Sequence, residues 1–378
     1  MSAAQWRRAM NSAAAAAAPT VRVPSARPRT ALPTSAANEV ATSWWTRWFA
    51  RIRARHVVVL VAIVVYPFVA SPFFAYQIGA QALALGLIAL SLTFLGGYGG
   101  MVSLAQMSVA GLAGYGVAIF GTSSAAGISL GWPWWLATAL AIVVATAFAA
   151  AVGWLSVRTE GIYTIMITLA IGVAFFYLAQ QNYTVFNGFQ GFSKLGVPEV
   201  LGVESRDPVP FYFVALACAL AGYFLVKHLV RAPFGIALQG IRDNPRRMAS
   251  LGYAVTAHRV AAYAVSGLLA AVGGVLMAWY NGRISPGTVN LSAMISILII
   301  AVLGGMKHPI GAFVGAIVYV LLQNFAIDLF VRERFNLVIG AGFLAIVLFS
   351  PDGLLGLWAK LRSSLVKTQT PQQTRRQL

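Results

Sequence analysis

The stretch FGIALQGIRDNPRRMASLGY, residues 234–253, places Arg242, Asp243, Arg246 and Arg247 between two long apolar runs of a chain that is otherwise poor in charge. Guanidinium groups bind phosphates and carboxylates. Two roles for this insert remain open from spacing alone. Its arginines could bind lipid phosphates at the membrane surface. Alternatively, a cytoplasmic partner could grip a short helix held between two spans and move them.

Local signals in the insert predict two short helices. Pro233 is expected to begin the first, whose apolar face would be Phe234, Leu238 and Ile241. Asn244 is expected to cap the second, with Pro245 at its first position and Gly252 just beyond its end. This second helix has about seven residues, below the roughly 12–15 that an isolated helix needs, so it must pack against something.

Polar side chains within the apolar runs are candidates for lining a translocation path. The candidates are Ser103, Gln106 and Ser108, then Thr164 and Thr168, then Ser292 and Ser296. Gln106 is the strongest, because a buried amide is costly without a hydrogen-bond partner. The alternative for the hydroxyls is structural, since Ser and Thr in membrane helices often bond their own backbone.

Motifs that would indicate catalysis are missing from the sequence. It contains no G-x-x-x-x-G-K-[ST], H-E-x-x-H or G-x-S-x-G, and its four histidines show no metal-ligand spacing. We therefore expect a chain that is not an enzyme and binds no metal or cofactor. Any energy from ATP would have to come from another protein.

The composition is that of an integral membrane protein. Hydrophobic residues make up 59% and charged residues 10% of the chain, and the mean hydropathy is +0.76. The single cysteine, Cys218, lies inside an apolar run, where packing is its expected role. Long continuous apolar runs indicate transmembrane helices, because helices satisfy their own backbone groups in lipid.

Ten apolar runs predict an all-α polytopic protein with about ten transmembrane helices. The runs are 57–76, 78–96, 100–121, 132–156, 162–181, 209–230, 258–280, 288–305, 309–330 and 335–350. The GGYGG turn at 96–100 leaves open whether the second and third runs are full spans or short, broken helices.

When the connections between the ten runs are assigned alternately to the two sides of the membrane, the charges separate. The whole net charge of +18 falls on the side of the N-terminal tail, and the other side sums to zero. The positive-inside rule then predicts that both termini and the insert are cytoplasmic. Basic residues spread over connections, instead of clustering on a soluble module, argue against nucleic acid as a partner.

Three regions are expected along the chain. Residues 1–55 form an Arg-rich cytoplasmic tail ending in an amphipathic helix at the lipid interface, residues 56–358 a transmembrane domain with the insert at 231–257, and residues 359–378 a basic cytoplasmic tail. Residues 180–207 form the largest predicted external segment. That segment could dock a partner, or it could be a loop that contacts none.

An ion-coupled secondary transporter or channel for a small polar solute is the alternative class of protein. Proton-coupled transport usually needs ionisable groups near mid-membrane. The acids and nearly all basic residues of this sequence fall in tails, connections or the ends of runs. The distribution disfavours a proton relay but leaves sodium coupling open.

Several motifs, taken in their order along the chain, resemble those of the LivM-type permeases of branched-chain amino-acid ABC transporters. They include GGYGGMVSLAQMSVAGLAGYGV, GIYTIMITLAIG, the insert with its flanks, ISPGTVNLSAMISILIIAVLGGMKHPIGAFVGAIV and LFSPDGLLGL, within about residues 80–357. The resemblance implies an inner-membrane importer subunit for branched-chain or related amino acids, urea or amides. It implies a second related permease, two cytoplasmic ATPases and a periplasmic substrate-binding protein as partners.

The insert corresponds to the family's ATPase-coupling loop. The residues that the resemblance assigns to coupling are Arg242, Asp243, Asn244, Pro245, Arg246, Arg247, Met248, Leu251 and Gly252. The sequence departs from the general importer coupling motif where Arg247 and Met248 replace the usual glutamate. The Arg-rich N-terminal tail lies outside the resemblance.

Overall fold

A computed structural model describes residues 65–68, 71, 73–125, 127–159, 161–200, 203–204, 207–329, 340, 344 and 353–356. The chain divides into the units Met1–Ala62 and Ile63–Leu378, and all described residues belong to the second. The predicted tail 1–55 with its interfacial helix and the C-terminal tail 359–378 lie outside the described residues. So do most of the first predicted run and, apart from residues 340 and 344, the tenth.

Ten helices carry the described fold. They are α1 (Phe74–Tyr98), α2 (Gln106–Phe120), α3 (Trp134–Ser156), α4 (Ile162–Gln181), α5 (Pro208–Arg231), α6 (Pro233–Asp243), α7 (Pro245–Ser250), α8 (Val255–Asn281), α9 (Leu291–Gly304) and α10 (Pro309–Leu329). The ends of α1, Phe74–Ala80 and Phe94–Tyr98, are wound as wider π-helical turns. Such turns are rare and often occur at functional sites.

The core forms around α1 and α8, most of whose residues are buried. α8 packs on α1, α2 and α3, and α10 packs on α1 and α9. Small residues permit these contacts: a Cβ atom at Gly274 would overlap the carbonyl oxygen of Ala110. Close approach of this kind is how helices associate in lipid, where apolar surface alone gives no preference for a partner helix.

The connections between helices lie at two ends of the bundle. We call one the basic end: there Arg242 donates a hydrogen bond to the carbonyl oxygen of Gly97 (2.7 Å), and the Tyr98 hydroxyl donates to that of Lys307 (3.3 Å). At the opposite end, Ser124 donates from its backbone N–H to the carbonyl oxygen of Ser193 (2.8 Å). The end of α1, the insert and the connection after α9 therefore meet at the basic end, and the connections after α2 and α4 meet at the opposite end.

Two short antiparallel ladders modify the all-α prediction. β1 (Phe192–Ser193) pairs with β4 (Arg283–Ile284), and β2 (Glu199–Val200) pairs with β3 (Val203–Glu204). The first ladder joins the connection after α4 to the connection after α8. Both connections therefore lie at the opposite end.

The third, eighth and ninth predicted runs differ from simple spans. α2 has 15 residues and begins only at Gln106, after a non-helical stretch that follows GGYGG. α9 has 14 residues, about 21 Å at 1.5 Å per residue, and meets α10 at a bend of 118°. At Gly304, where α9 ends, a Cβ atom would overlap the carbonyl oxygen of Gly311 on α10, so these helices pack backbone to backbone.

Five helices among the described residues are long and apolar enough to cross a membrane, and the bent pair α9–α10 gives up to six. The five are α1, α3, α4, α5 and α8. The count of ten spans stays a prediction, because more than half of the first run and nearly all of the tenth lie outside the described residues and α2 is short.

Candidate functional site

The insert forms the two helices that its sequence predicts. α6 begins at Pro233 and buries Leu238 and Ile241 completely, whereas Ile236 on its other face is 64% exposed. A Cβ atom at Gly235 would overlap the carbonyl oxygen of Leu229, so α6 turns tightly against the end of α5. α6 is thus fixed to the bundle by its apolar face.

α7 is held by its caps and presents its surface outward. The side chain of Asn244 accepts a hydrogen bond from the backbone N–H of Arg247 (2.9 Å), and Pro245 takes the first helical position. Gly252 follows with φ +89°, a conformation that favours glycine. None of the six residues of α7 is buried, and Leu251 beyond it is 66% exposed. No other part of the described chain covers the outer surface of this helix.

Arg242 connects the insert to the end of α1 and to the residues just after it. Its guanidinium donates to the carbonyl oxygen of Gly97 at 2.7 Å and forms an ion pair with Asp243 at 2.9 Å. Its aliphatic stem occupies the space that a Cβ atom would need at Gly100, whose φ is +69°. A displacement of the insert would therefore also displace residues 97–100.

His258 holds the two edges of the insert together. Its ring stacks on Phe234 with centroids 5.9 Å apart and meets Tyr253 edge-on at 5.8 Å. Its Nδ1 lies 2.9 Å from the carbonyl oxygen of Ala254. Its two aromatic partners lie on separate elements, so sequence alone did not pair them with His258.

Gln106 lies in a buried polar group a few residues beyond the segment that Arg242 touches. Its amide is 2% exposed, and its Oε1 accepts a hydrogen bond from the Ser91 hydroxyl at 3.3 Å. The Ser266 hydroxyl of α8 donates to the carbonyl oxygen of Ser91 at 2.9 Å. α1, α2 and α8 thus share one polar junction in an otherwise apolar core.

Other predicted path residues flank this junction. Thr168 accepts a hydrogen bond from the backbone N–H of Leu104 at 3.2 Å, and the Ser108 hydroxyl donates to the carbonyl oxygen of Gly172 at 3.5 Å. Thr164 donates to the carbonyl oxygen of Thr159 at 2.9 Å. The structure therefore brings α4 against the start of α2. All three bonds go to backbone groups, but the bonds of Thr168 and Ser108 reach a different segment, whereas the structural alternative expects bonds to the residue's own backbone.

Several members of the buried polar group were missed by sequence reasoning. They are Ser91, Thr93, Ser156, Tyr263 and Ser266, all buried. The hydroxyl of Thr93 has no hydrogen-bond partner among the described residues, whereas the hydroxyl of Tyr263 is within reach of the hydroxyls of Ser103 and Ser156. The S-L-T triplet a few residues before GGYGG was an available signal for Ser91 and Thr93. We refer to these five residues, with Ser103, Gln106, Ser108 and Thr168, as the buried polar cluster.

Three predicted path residues, Thr164, Ser292 and Ser296, do not belong to the buried polar cluster. Ser292 is exposed near the start of α9. Ser296 donates to the carbonyl oxygen of Ser292 and accepts a hydrogen bond from the Tyr319 hydroxyl, both at 2.9 Å. A role of Ser292 and Ser296 in the path stays a prediction. In this structure Ser296 connects α9 to α10 through the Tyr319 hydroxyl.

No group of three or more His, Cys, Asp or Glu side chains that could hold a metal ion occurs in the described part of the chain. What the described chain offers is an outward helix at the basic end and a buried polar cluster, with Arg242 between them. This arrangement can transmit a movement to the membrane interior.

Comparison with known proteins identifies the family to which this chain belongs. A model of the permease component of branched-chain amino acid transport systems matches residues 74–347. The chain is 27% identical over 259 residues to the high-affinity branched-chain amino acid transport system permease protein LivM of Salmonella typhimurium, covering 62% of this chain and 60% of that protein.

Relatives that match shorter stretches of the chain carry either the same substrate name or another one. The probable branched-chain amino acid transport permease protein LivH of Methanocaldococcus jannaschii is 30% identical over 185 residues, covering 46% of this chain and 54% of the relative. The nucleoside ABC transporter permease protein NupC of Lactococcus lactis is 30% identical over 124 residues, covering 32% and 37%. The chain thus spans at most about three fifths of these relatives. No solved structure matches it.

Proposed function

Because this chain belongs to the family of permease components of branched-chain amino acid transport systems, we propose that it is the membrane-spanning subunit of an ATP-driven importer in the bacterial inner membrane. Its cargo is a branched-chain amino acid or a related small polar solute. It works with a second related permease, two cytoplasmic ABC ATPases and a periplasmic substrate-binding protein. Nucleic acid has no part in this function.

The basic end is proposed to face the cytoplasm. Its described basic side chains are Arg158, Lys227, Arg231, Arg242, Arg246, Arg247, Arg259 and Lys307, with Asp243 as its described acid. The opposite end carries Lys194 and Arg283 with Glu199, Glu204 and Asp207. An excess of Lys and Arg marks the cytoplasmic side of membrane proteins.

The observation that supports coupling is the placement of α7. It is a capped helix of six residues with no buried residue, held directly between the spans α5 and α8. A helix this short is unstable alone, so its exposed face is available to a protein that completes its packing. We assign the ATPase contact to the exposed residues 245–252, with Asn244 positioning the helix and Arg242 and Asp243 linking it to the bundle.

Transmission is proposed to run from α7 through Arg242 to residues 97–100 and then to Gln106 and the buried polar cluster. The cluster is closed in this structure, because Ser103, Gln106, Ser108 and Thr168 are each at most 2% exposed. Alternating access would open it in turn to each side when the ATPases move the insert. Its hydroxyl and amide groups would replace part of the hydration of a polar solute.

Co-purification from native membranes tests the proposal. Leu251→Asp puts a charge on the exposed apolar residue after α7, and Leu130→Asp is a matched control, since Leu130 is also exposed (54%) but lies at the opposite end. We expect the wild type and Leu130→Asp to co-purify with two ATPases and a second permease. Leu251→Asp should lose the ATPases. Uptake by this chain alone in liposomes, driven by an ion gradient without ATP, would instead establish an ion-coupled carrier.

A further inference from the structure

An open apolar groove of about 700 Å³ lies where α3 ends and α8 begins. Its walls include Trp154 of α3, Ala249 of α7, Tyr253, Val255, Val260 and Ala264. Trp154 is 55% exposed and Tyr253 is 44% exposed. The groove therefore presents aromatic and aliphatic surface that the described chain leaves uncovered.

Positive groups surround this apolar surface. The guanidinium of Arg158 lies 4.3 Å from the centre of the Trp154 ring, held there by a cation–π contact. Arg246 precedes Ala249 by three residues on α7, so both lie on the same face of that helix. The first turn of α8 also lines the groove, and backbone N–H groups of a first helical turn have no partner within the helix.

Acidic groups do not balance this charge in the described part of the basic end. Its one described acid, Asp243, is paired with Arg242 at 2.9 Å. The two predicted tails of this chain are themselves strongly basic, so their charge does not fit the site. The site matches a molecule that joins an apolar chain to an anionic head.

The depth of the groove in the membrane fits the same molecule. Trp154 lies two residues before the end of α3, and Val255 begins α8. Both helices are long and apolar enough to span a bilayer. Such positions lie at the boundary between acyl chains and headgroups, where tryptophan and arginine are favoured.

We propose that this groove binds one anionic phospholipid, with an acyl chain against Trp154, Val260 and Ala264 and its phosphate between Arg158 and Arg246. The lipid would cover the apolar surface beside α7 and connect α7 to the end of α3. The site requires only this chain and a membrane, and its test therefore does not depend on the proposed importer function.

Quenching of tryptophan fluorescence by brominated lipid tests the proposal on the purified full chain. The chain is reconstituted in phosphatidylcholine liposomes that contain either phosphatidylglycerol brominated on its acyl chains or the same fraction of brominated phosphatidylcholine. The contribution of Trp154 is the difference in tryptophan fluorescence between the wild type and Trp154→Phe. We expect it to be quenched much more strongly by the anionic lipid.

The matched control is Trp135→Phe, because Trp135 lies at the other end of α3 and is similarly exposed, at 59%. Its contribution should be quenched equally by the two lipids. Arg158→Gln and Arg246→Gln should each lower the preference of Trp154 for the anionic lipid by about fivefold. The second of these variants leaves the cation–π contact with Trp154 in place.

Three results would overturn the proposal. Equal quenching of Trp154 by both lipids would show ordinary exposure to the bilayer. A preference retained when both arginines are replaced would show that they do not hold the headgroup. No quenching of Trp154 by either lipid would show that protein fills the groove.

Discussion

Arg242 donates a hydrogen bond to the carbonyl oxygen of Gly97, 145 positions earlier in the chain, at 2.7 Å. This contact joins the insert to the last turn of α1. The buried polar cluster includes Ser91 in the same helix and, after the end of that helix, Ser103 and Gln106. The proposed importer can be tested most directly at this junction.

Replacing Arg242 by Gln should weaken coupling without unfolding the chain. The side chain is 39% exposed, so its loss leaves no buried charge, but the bond to Gly97 is lost. One charge-assisted bond corresponds to about a fivefold to tenfold effect. We expect ATP-driven uptake by the assembled transporter to fall by that factor while ATPase binding persists. Lys227→Gln, at the same end but outside the insert, should leave uptake unchanged, and equal losses in both variants would contradict the transmission route.

Removing the cap of α7 should destabilise this helix selectively. Asn244→Ala eliminates the acceptor for the N–H of Arg247, at a cost of about 1 kcal/mol. Asn290 caps α9 in the same way, through the N–H of Ala293 at 2.9 Å. We expect Asn244→Ala and Asn290→Ala to lower thermal stability similarly, but only the first to reduce recovery of the ATPases. Asn244→Asp should restore it, and failure of this rescue would show that the cap is not what matters.

The contact between α9 and α10 should tolerate no side chain at Gly315. A Cβ atom there would overlap the carbonyl oxygen of Ile300, so Gly315→Ala should destabilise the protein by about 1–3 kcal/mol. Gly287→Ala is the control, because the nearest atom to its Cβ would be Ser285 Oγ at 3.7 Å. Thermal unfolding in detergent measures both. Equal stability of the two variants would refute the close packing at the 118° bend.

Gln106→Leu should separate transport from folding. Leucine fills a similar volume at this buried position, and the Ser91 hydroxyl keeps its bond to the carbonyl oxygen of Ile88 at 2.6 Å. We expect a change in stability below about 1.5 kcal/mol and a fall in uptake of about tenfold, from the loss of one polar contact to the solute. Thr138→Val is the control, because Thr138 bonds its own helix at Trp134. Unchanged uptake by Gln106→Leu would remove Gln106 from the path.

Local features of the insert were predictable because their causes lie within a few residues. Asn244, Pro245 and Gly252 act on backbone groups no more than three or four positions away, and the structure confirms all three. The positions of the long apolar helices were equally accessible, because they follow from the length of the apolar segments and from where Arg and Lys interrupt them.

Only the tertiary structure decided which polar groups meet. Ser266 reaches Ser91 across 175 positions, and Arg242 reaches Gly97 across 145. Ser292 and Ser296, which looked equivalent to the path residues in sequence, lie elsewhere. The spans are apolar on nearly all sides, so their periodicity does not mark an inward face. That face is set by close backbone contacts such as Gly274 with Ala110, which depend on the whole bundle.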